Sequence, residues 1–168
     1  MIRACNERDV ETIYAIINDA AIAYDGVIPE DCYHAPYMGL EELKREISDG
    51  VRFWGYGEDG ELLGVMGMQE KGDVSLIRHA YVRTKRRGGG IGGQLLRSIV
   101  SQTDKPILIG TWEAAAWAIS FYKRNGFQIV SSEEKEVLLR KYWKVSARQI
   151  ETSVVLCNSS FHNEMRQS

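Results

Sequence analysis

The stretch Arg83–Leu96, RTKRRGGGIGGQLL, carries residue types in an order that could do chemistry. Three basic side chains, Lys85, Arg86 and Arg87, precede five glycines in the six positions 88–93, and an apolar run with helical spacing follows. A strand-like segment, Val74–Val82, comes just before. Strand, glycine turn and helix start let backbone amides converge with no side chain in the way, and the helix N-terminus adds partial positive charge. Such a turn suits a compact anion, phosphate above all.

The charge pattern agrees. No Asp or Glu occurs from Val74 to Thr103, where Arg78, Arg83, Lys85, Arg86, Arg87 and Arg97 contribute +6. The whole chain carries −2, so the remainder carries −8. A basic turn inside an acidic chain points to a compact anionic ligand and away from nucleic acid, which wants a broad basic face. With 168 residues, 44% hydrophobic and 26% charged, one soluble domain is expected. No apolar run approaches a membrane span. The charged start, MIRACNERDV, lacks the apolar stretch of a signal peptide, so a cytoplasmic setting is expected. Cys5, Cys32 and Cys157 are widely spaced and read as free thiols, with no metal motif.

The elements that must position the turn follow from periodicity. Ile2–Cys5 reads as a short strand. Asn6 with Asp9 resembles a capping box, and Val10, Ile13, Tyr14 and Ile17 begin a helix running to about Ala23. Tyr24–Met38 is irregular, and Leu40, Leu43 and Ile47 mark a shorter helix ending near Gly50. Asp59–Gly60 and Lys71–Gly72–Asp73 are turn signals joining Val51–Tyr56, Glu61–Gln69 and Val74–Val82 into an antiparallel meander. Ile91, Leu95, Leu96, Ile99 and Val100 form one helix face, and Ile107–Trp112 is the next strand. That is a βαβ unit, so its two strands should be parallel neighbours. Ala114–Lys123 reads as a helix and Phe127–Val130 as a strand. A helix to about Trp143 follows, then a last strand over Gln149–Leu156. The domain is expected over 1–156, with a polar tail over 157–168.

Gly88, Gly90 and Gly93 satisfy G-x-G-x-x-G, with Glu113 twenty residues beyond Gly93. A dinucleotide fold fits poorly. The unit lies mid-chain, only about 75 residues follow it, and a basic triplet precedes the turn. A phosphate-loop NTPase is excluded, because no Gly-Lys-Ser/Thr follows the glycines.

Arg87-Gly88-Gly89-Gly90-Ile91-Gly92 matches R/Q-x-x-G-x-G/A, the signature of the GNAT superfamily of N-acetyltransferases. Ala118-Ile119-Ser120-Phe121-Tyr122-Lys123-Arg124-Asn125-Gly126-Phe127 resembles that family's A-x-x-x-Y-x-x-x-GF element. The resemblance spans about Ile2 to Leu156. It implies an α/β (α+β) domain with a mixed, mostly antiparallel sheet of six to seven strands, flanking helices and a splayed central parallel pair. One departure stands at Ala115, where the family often has an Asn that contacts the cofactor arm.

The resemblance also implies acetyl-CoA as co-substrate, without a metal. Its pyrophosphate would lie on Gly88, Gly89, Gly90, Ile91, Gly92 and Gly93 with Arg87 supplying charge, and its pantetheine along Ala80, Tyr81 and Val82. The Val82 N–H would meet the thioester carbonyl, a contact worth on the order of 3 kcal/mol to an oxyanion. A primary amine would attack directly. Tyr122 would protonate the departing thiolate, and His79 or Glu113 would take the amine's proton. Glu30, Asp31 and His34, on the irregular loop, would bind a small cationic amine. No nucleic-acid or membrane partner is expected, and a homodimer is compatible with this reading. The alternative is a non-catalytic acyl-CoA or nucleotide-binding module, and a nicotinamide-dependent enzyme comes third.

Overall fold

The structure is a computed structural model and describes residues 1–158. The first strand, β1 (Ile2–Ala4), leads to Asn6, whose side chain accepts from the Arg8 amide at 2.9 Å while Asp9 accepts from the Asn6 amide at 2.8 Å. That reciprocal cap starts a 3-10 turn over Glu7–Asp9, which runs straight into α1 (Val10–Ala21), whose buried residues are Ile13, Ile16, Ile17, Ala20 and Ala21. The α-helix ends two residues short of the expected Ala23 and tightens into a 3-10 turn over Ile22–Tyr24. An irregular loop follows, then α2 (Leu40–Ser48). The meander is β2 (Arg52–Glu58), β3 (Glu61–Lys71) and β4 (Val74–Val82). After the glycine turn come α3 (Ile91–Val100), β5 (Ile107–Trp112), α4 (Ala116–Arg124), β6 (Phe127–Ile129) and α5 (Ser132–Tyr142).

The last segment differs from its expectation. Gln149–Thr152, read as the start of a strand, belongs to α6 (Ala147–Thr152), and β7 is Ser153–Asn158. The cause is a second capping box. Ser146 Oγ accepts from the Gln149 amide, and the Gln149 side chain accepts from the Ser146 amide, each at 3.2 Å. β7 also runs through Cys157 and Asn158, past the expected domain limit at 156. The rest of the expected tail, 159–168, lies outside the described residues.

The sheet order is β1-β2-β3-β4-β5-β7-β6, and every pairing is antiparallel except β4 with β5. That parallel ladder joins only Ser75, Leu76 and Ile77 to Ile107, Leu108 and Ile109. Beyond it, Arg78–Val82 stays with β3 and Gly110–Trp112 stays with β7. The two strands therefore splay. One face of the sheet packs Met66, Met68, Ile77, Ile107 and Ile109 against Ile91, Leu95, Leu96 and Ile99 of α3. The other packs Phe53 and Val65 against α1 and α2, and Leu76, Leu108 and Val155 against α5.

Candidate active site

The splay opens a cavity of about 620 Å³, bounded by the end of β4, the glycine turn, α3, α4 and the end of β5. Its size falls in the range of small-molecule sites. Gly88 and Gly90 take φ of +77° and +81°, a left-handed region that side-chain-bearing residues enter only under strain. Gly90 caps α3, so the first amides of that helix are free of intrahelical partners and border the cavity. Gly92 serves packing instead. A Cβ there would stand 3.3 Å from Cζ of Phe121 on α4.

The arginines around the turn are not equivalent. Arg86 is paired in fork geometry with Glu58, at 2.7 and 3.1 Å. Arg87 donates to the Ala20 carbonyl at 3.2 Å, which ties the turn to the end of α1. Arg97, Arg124 and Asn125 also line the cavity and were not singled out from sequence. Their signal is positional. Arg97 falls about one helical turn after Gly93, with its guanidinium 3.3 Å from where a Gly93 Cβ would lie.

β4 does not run straight into the site. Its register with β3 jumps between Val65↔Tyr81 and Gly67↔Arg78, so one extra residue sits opposite Met66. His79 takes the left-handed conformation, φ +57°, that absorbs it. Gly67 makes room, since a Cβ there would lie 2.9 Å from the Arg78 carbonyl oxygen. Arg78 and His79 both reach Glu46 of α2, Arg78 Nη2 at 2.7 Å and His79 Nε2 at 2.9 Å. Burial pushes the Glu46 carboxyl up, but His79 and Arg78 outweigh it and hold the group below its usual range.

Past the bulge, the Arg83 amide donates to the Leu63 carbonyl at 2.8 Å. Val82 and Gly64 are therefore a non-hydrogen-bonded pair, and the Val82 N–H points away from β3, to the side where β5 has diverged. Ala80, Tyr81 and Val82 all line the cavity.

Tyr122 lines the cavity from α4 with its ring packed edge-on against Phe121 and Phe127. Burial, with the nearby Tyr24 adding to it, pushes its phenol well above the ordinary tyrosine range, so it stays protonated at neutral pH. The two candidate bases stand apart from it. His79 borders the cavity, but its Nε2 is held by Glu46. Glu113 is exposed, does not line the cavity, and donates its amide to Thr152. Among the described residues no Asp or Glu lines the cavity.

The three acceptor-loop residues are not brought into the cavity either. Asp31 is clasped by Arg148 of α6 through two contacts of 3.0 Å. His34 Nδ1 donates to the Pro36 carbonyl at 2.7 Å, and Glu30 is exposed. The loop contributes aromatic rings instead. Tyr24 is buried and lines the cavity, with its hydroxyl 3.4 Å from that of Tyr81. Ala115 is buried beside Tyr24 and Ile28 and packs this cluster rather than facing a ligand.

The comparisons with known proteins agree with this geometry. A family model described as an acetyltransferase (GNAT) domain matches residues 7–140. Solved structures share the fold. An acetyltransferase of the GNAT family from Staphylococcus aureus superposes with a TM-score of 0.68 at 20% identity, over 94% of this chain and 97% of that one. The PaiA N-acetyltransferase of Thermoplasma acidophilum, in complex with coenzyme A, gives 0.67 at 17% identity, over 94% and 97%. The ribosomal-protein-S18-alanine N-acetyltransferase of Escherichia coli gives 0.66 at 13%, over 94% and 92%. The chain belongs to the GNAT acetyltransferase family, and it is an acyltransferase of that family. The expected mixed sheet with a splayed parallel pair is the one observed, with seven strands.

Proposed function

We propose that this acetyltransferase moves the acetyl group of acetyl-CoA to the primary amine of a small molecule by direct attack in a ternary complex. The observation that carries the reading is the placement of the Val82 N–H and Tyr122 on one cavity that ends at the glycine turn. The pyrophosphate rests on the amides at Gly88–Gly93, with Arg87, Arg97 and Arg124 around it. The coenzyme A held by the Thermoplasma relative supports this occupant. The pantetheine extends along Ala80–Val82, where β4 has lost its parallel neighbour.

The thioester carbonyl then accepts from the Val82 N–H, a fixed dipole that favours the oxyanion of the tetrahedral intermediate. The amine nitrogen bonds to the carbonyl carbon, the C–S bond breaks, and Tyr122 gives its proton to the thiolate. The ammonium loses its proton to solvent before attack, because Glu46 occupies the His79 ring and Glu113 lies outside the cavity. The nitrogen's second proton leaves as the tetrahedral intermediate collapses and restores Tyr122, so each turnover releases one proton to solvent.

The test has two stages. A thermal-shift panel with acetyl-CoA, CoA, NAD and ATP should show stabilisation by the first two, and a shift with NAD alone contradicts the reading. Thiol release from acetyl-CoA with a panel of amines then separates an enzyme from a binding module.

A further inference from the structure

The acceptor side of the cavity is aromatic. Tyr24, Tyr81 and Trp117 line it, and Tyr33, Tyr37 and Trp112 pack behind them. The rings run in series. Tyr33 stacks on Tyr37 at 6.4 Å between centroids, Tyr37 leans on Tyr24 at 5.2 Å, and Tyr24 stacks on Trp117 at 5.9 Å. Trp112 Nε1 donates to the Tyr37 hydroxyl at 2.7 Å and fixes the middle of the series. Burial pushes the phenols of Tyr24, Tyr37 and Tyr81 upward, so this wall is neutral at physiological pH. Trp117 is the open end. It lines the cavity, five residues before Tyr122 on α4, and is 43% exposed.

The same cavity offers a polycation no carboxylate among the described residues of its lining. Arg86, Arg87, Arg97 and Arg124 line it, and no carboxylate does among the described residues. Asp31 of the acceptor loop already has both oxygens on Arg148. A second or third ammonium on the acceptor would find no counter-charge on this lining. One amine on a flat apolar group does not need one. Its ring has a tryptophan face to stack on, and an aromatic pair adds to affinity beyond simple burial.

Resting on the function proposed above, we infer that the acceptor is a monoamine carried by a short linker on an aromatic ring, an arylalkylamine, with the ring against Trp117. Nitrogen then reaches toward Val82 and Tyr122 while the ring stays at the mouth.

Thiol release is measured at saturating acetyl-CoA with phenethylamine and tryptamine against butylamine and spermidine. The kcat/KM ratio of arylalkyl to alkyl amine should be about tenfold or more. Trp117→Ala should collapse that ratio, and Trp117→Phe, which keeps a ring, should retain most of it. Titration of phenethylamine into the protein with CoA bound should show saturable binding that Trp117→Ala weakens. Spermidine or butylamine outrunning the arylalkylamines overturns the inference and leaves the acetyltransferase reading standing. So does a Trp117→Ala loss that falls on acetyl-CoA affinity. Bound acetyl-CoA with no thiol released by any amine overturns both.

Discussion

Gly64→Ala tests how the sheet sets the height of the glycine turn. Gly64 lies in β3 beneath the first turn of α3, and a Cβ on it would stand 2.9 Å from Ile91 Cγ2 and 3.3 Å from both Leu95 Cδ1 and Val82 Cγ2. Carbon atoms pack at about 3.5–4.0 Å, so the methyl needs roughly 0.6 Å or more of movement from its nearest neighbour. Ile91 and Leu95 are both buried, and Ile91 follows the Gly90 cap directly. The helix must therefore rise off the sheet and carry the turn with it. Overpacking of this kind costs about 1–3 kcal/mol. For a chain of this length, about 2 kcal/mol corresponds to a Tm lowered by about 4–8 °C. Acetyl-CoA affinity should fall in parallel, because the amides proposed to meet its pyrophosphate move. Calorimetric melting and acetyl-CoA titration measure the two effects. Gly39→Ala is the control, since its φ is −78° and nothing lies within 4 Å of an added Cβ. As the N-cap of α2 it should cost no more than about 1 kcal/mol of stability and leave acetyl-CoA affinity unchanged. A Gly64→Ala protein with wild-type Tm and wild-type affinity refutes the argument that this close approach positions the turn.

Other expectations follow from single contacts. Tyr122→Phe keeps the ring between Phe121 and Phe127, so Tm and acetyl-CoA affinity should hold while kcat drops by about 10²-fold, the lower end for a lost general acid acting on a good leaving group. Gly90→Val places a β-branched residue at φ +81° with open space around it, so strain alone, about 1–2 kcal/mol or more, should raise the Michaelis constant for acetyl-CoA. The rate at subsaturating amine should climb with pH toward the amine's own pKa without levelling near neutrality, because no side-chain base takes that proton; a plateau well below the amine's pKa would return a side chain to that role. Asp9 is held down to about 2, chiefly by its bond to Arg3. A depressed carboxyl stabilises the fold above its unfolded value, so that contribution should fade as pH falls from ~4 toward 2, and acid melts of Arg3→Ala should lose that dependence.

The sequence carried the motifs whose signal is local. The turn at Gly88–Gly93, the Asn6 cap, the two hairpin turns and the helical spacing of α3 each declare themselves within a few residues. The sheet's splay was reached only through family resemblance, because it depends on where the β4–β5 ladder stops. The α6 segment was misread because alternation over Gln149–Leu156 competed with an Ser146–Gln149 capping signal that is just as local. The bulge at His79 left no mark in the sequence. It arises from Gly67 on the neighbouring strand and Glu46 on a distant helix, and it decides that the His79 ring meets a carboxylate. The acceptor loop shows the same limit. Its acidic residues stood out by type, but Arg148, 117 positions from Asp31, neutralises the one that would matter most. The loop's Tyr24, Tyr33 and Tyr37 stand out in the sequence too, but their stacking on Trp117 comes only with tertiary packing.

The central proposal is that this cavity holds acetyl-CoA with its acetyl carbonyl at Val82 and its sulfur at Tyr122. Mass-spectrometric detection of acetyl transfer from isotopically labelled acetyl-CoA to phenethylamine, run with wild type and Tyr122→Phe at equal cofactor occupancy, tests it most directly. Labelled N-acetyl product from wild type, slowed about 10²-fold in Tyr122→Phe, is the predicted result. Full occupancy by acetyl-CoA with no labelled product from any amine, or equal rates in the two proteins, would contradict it.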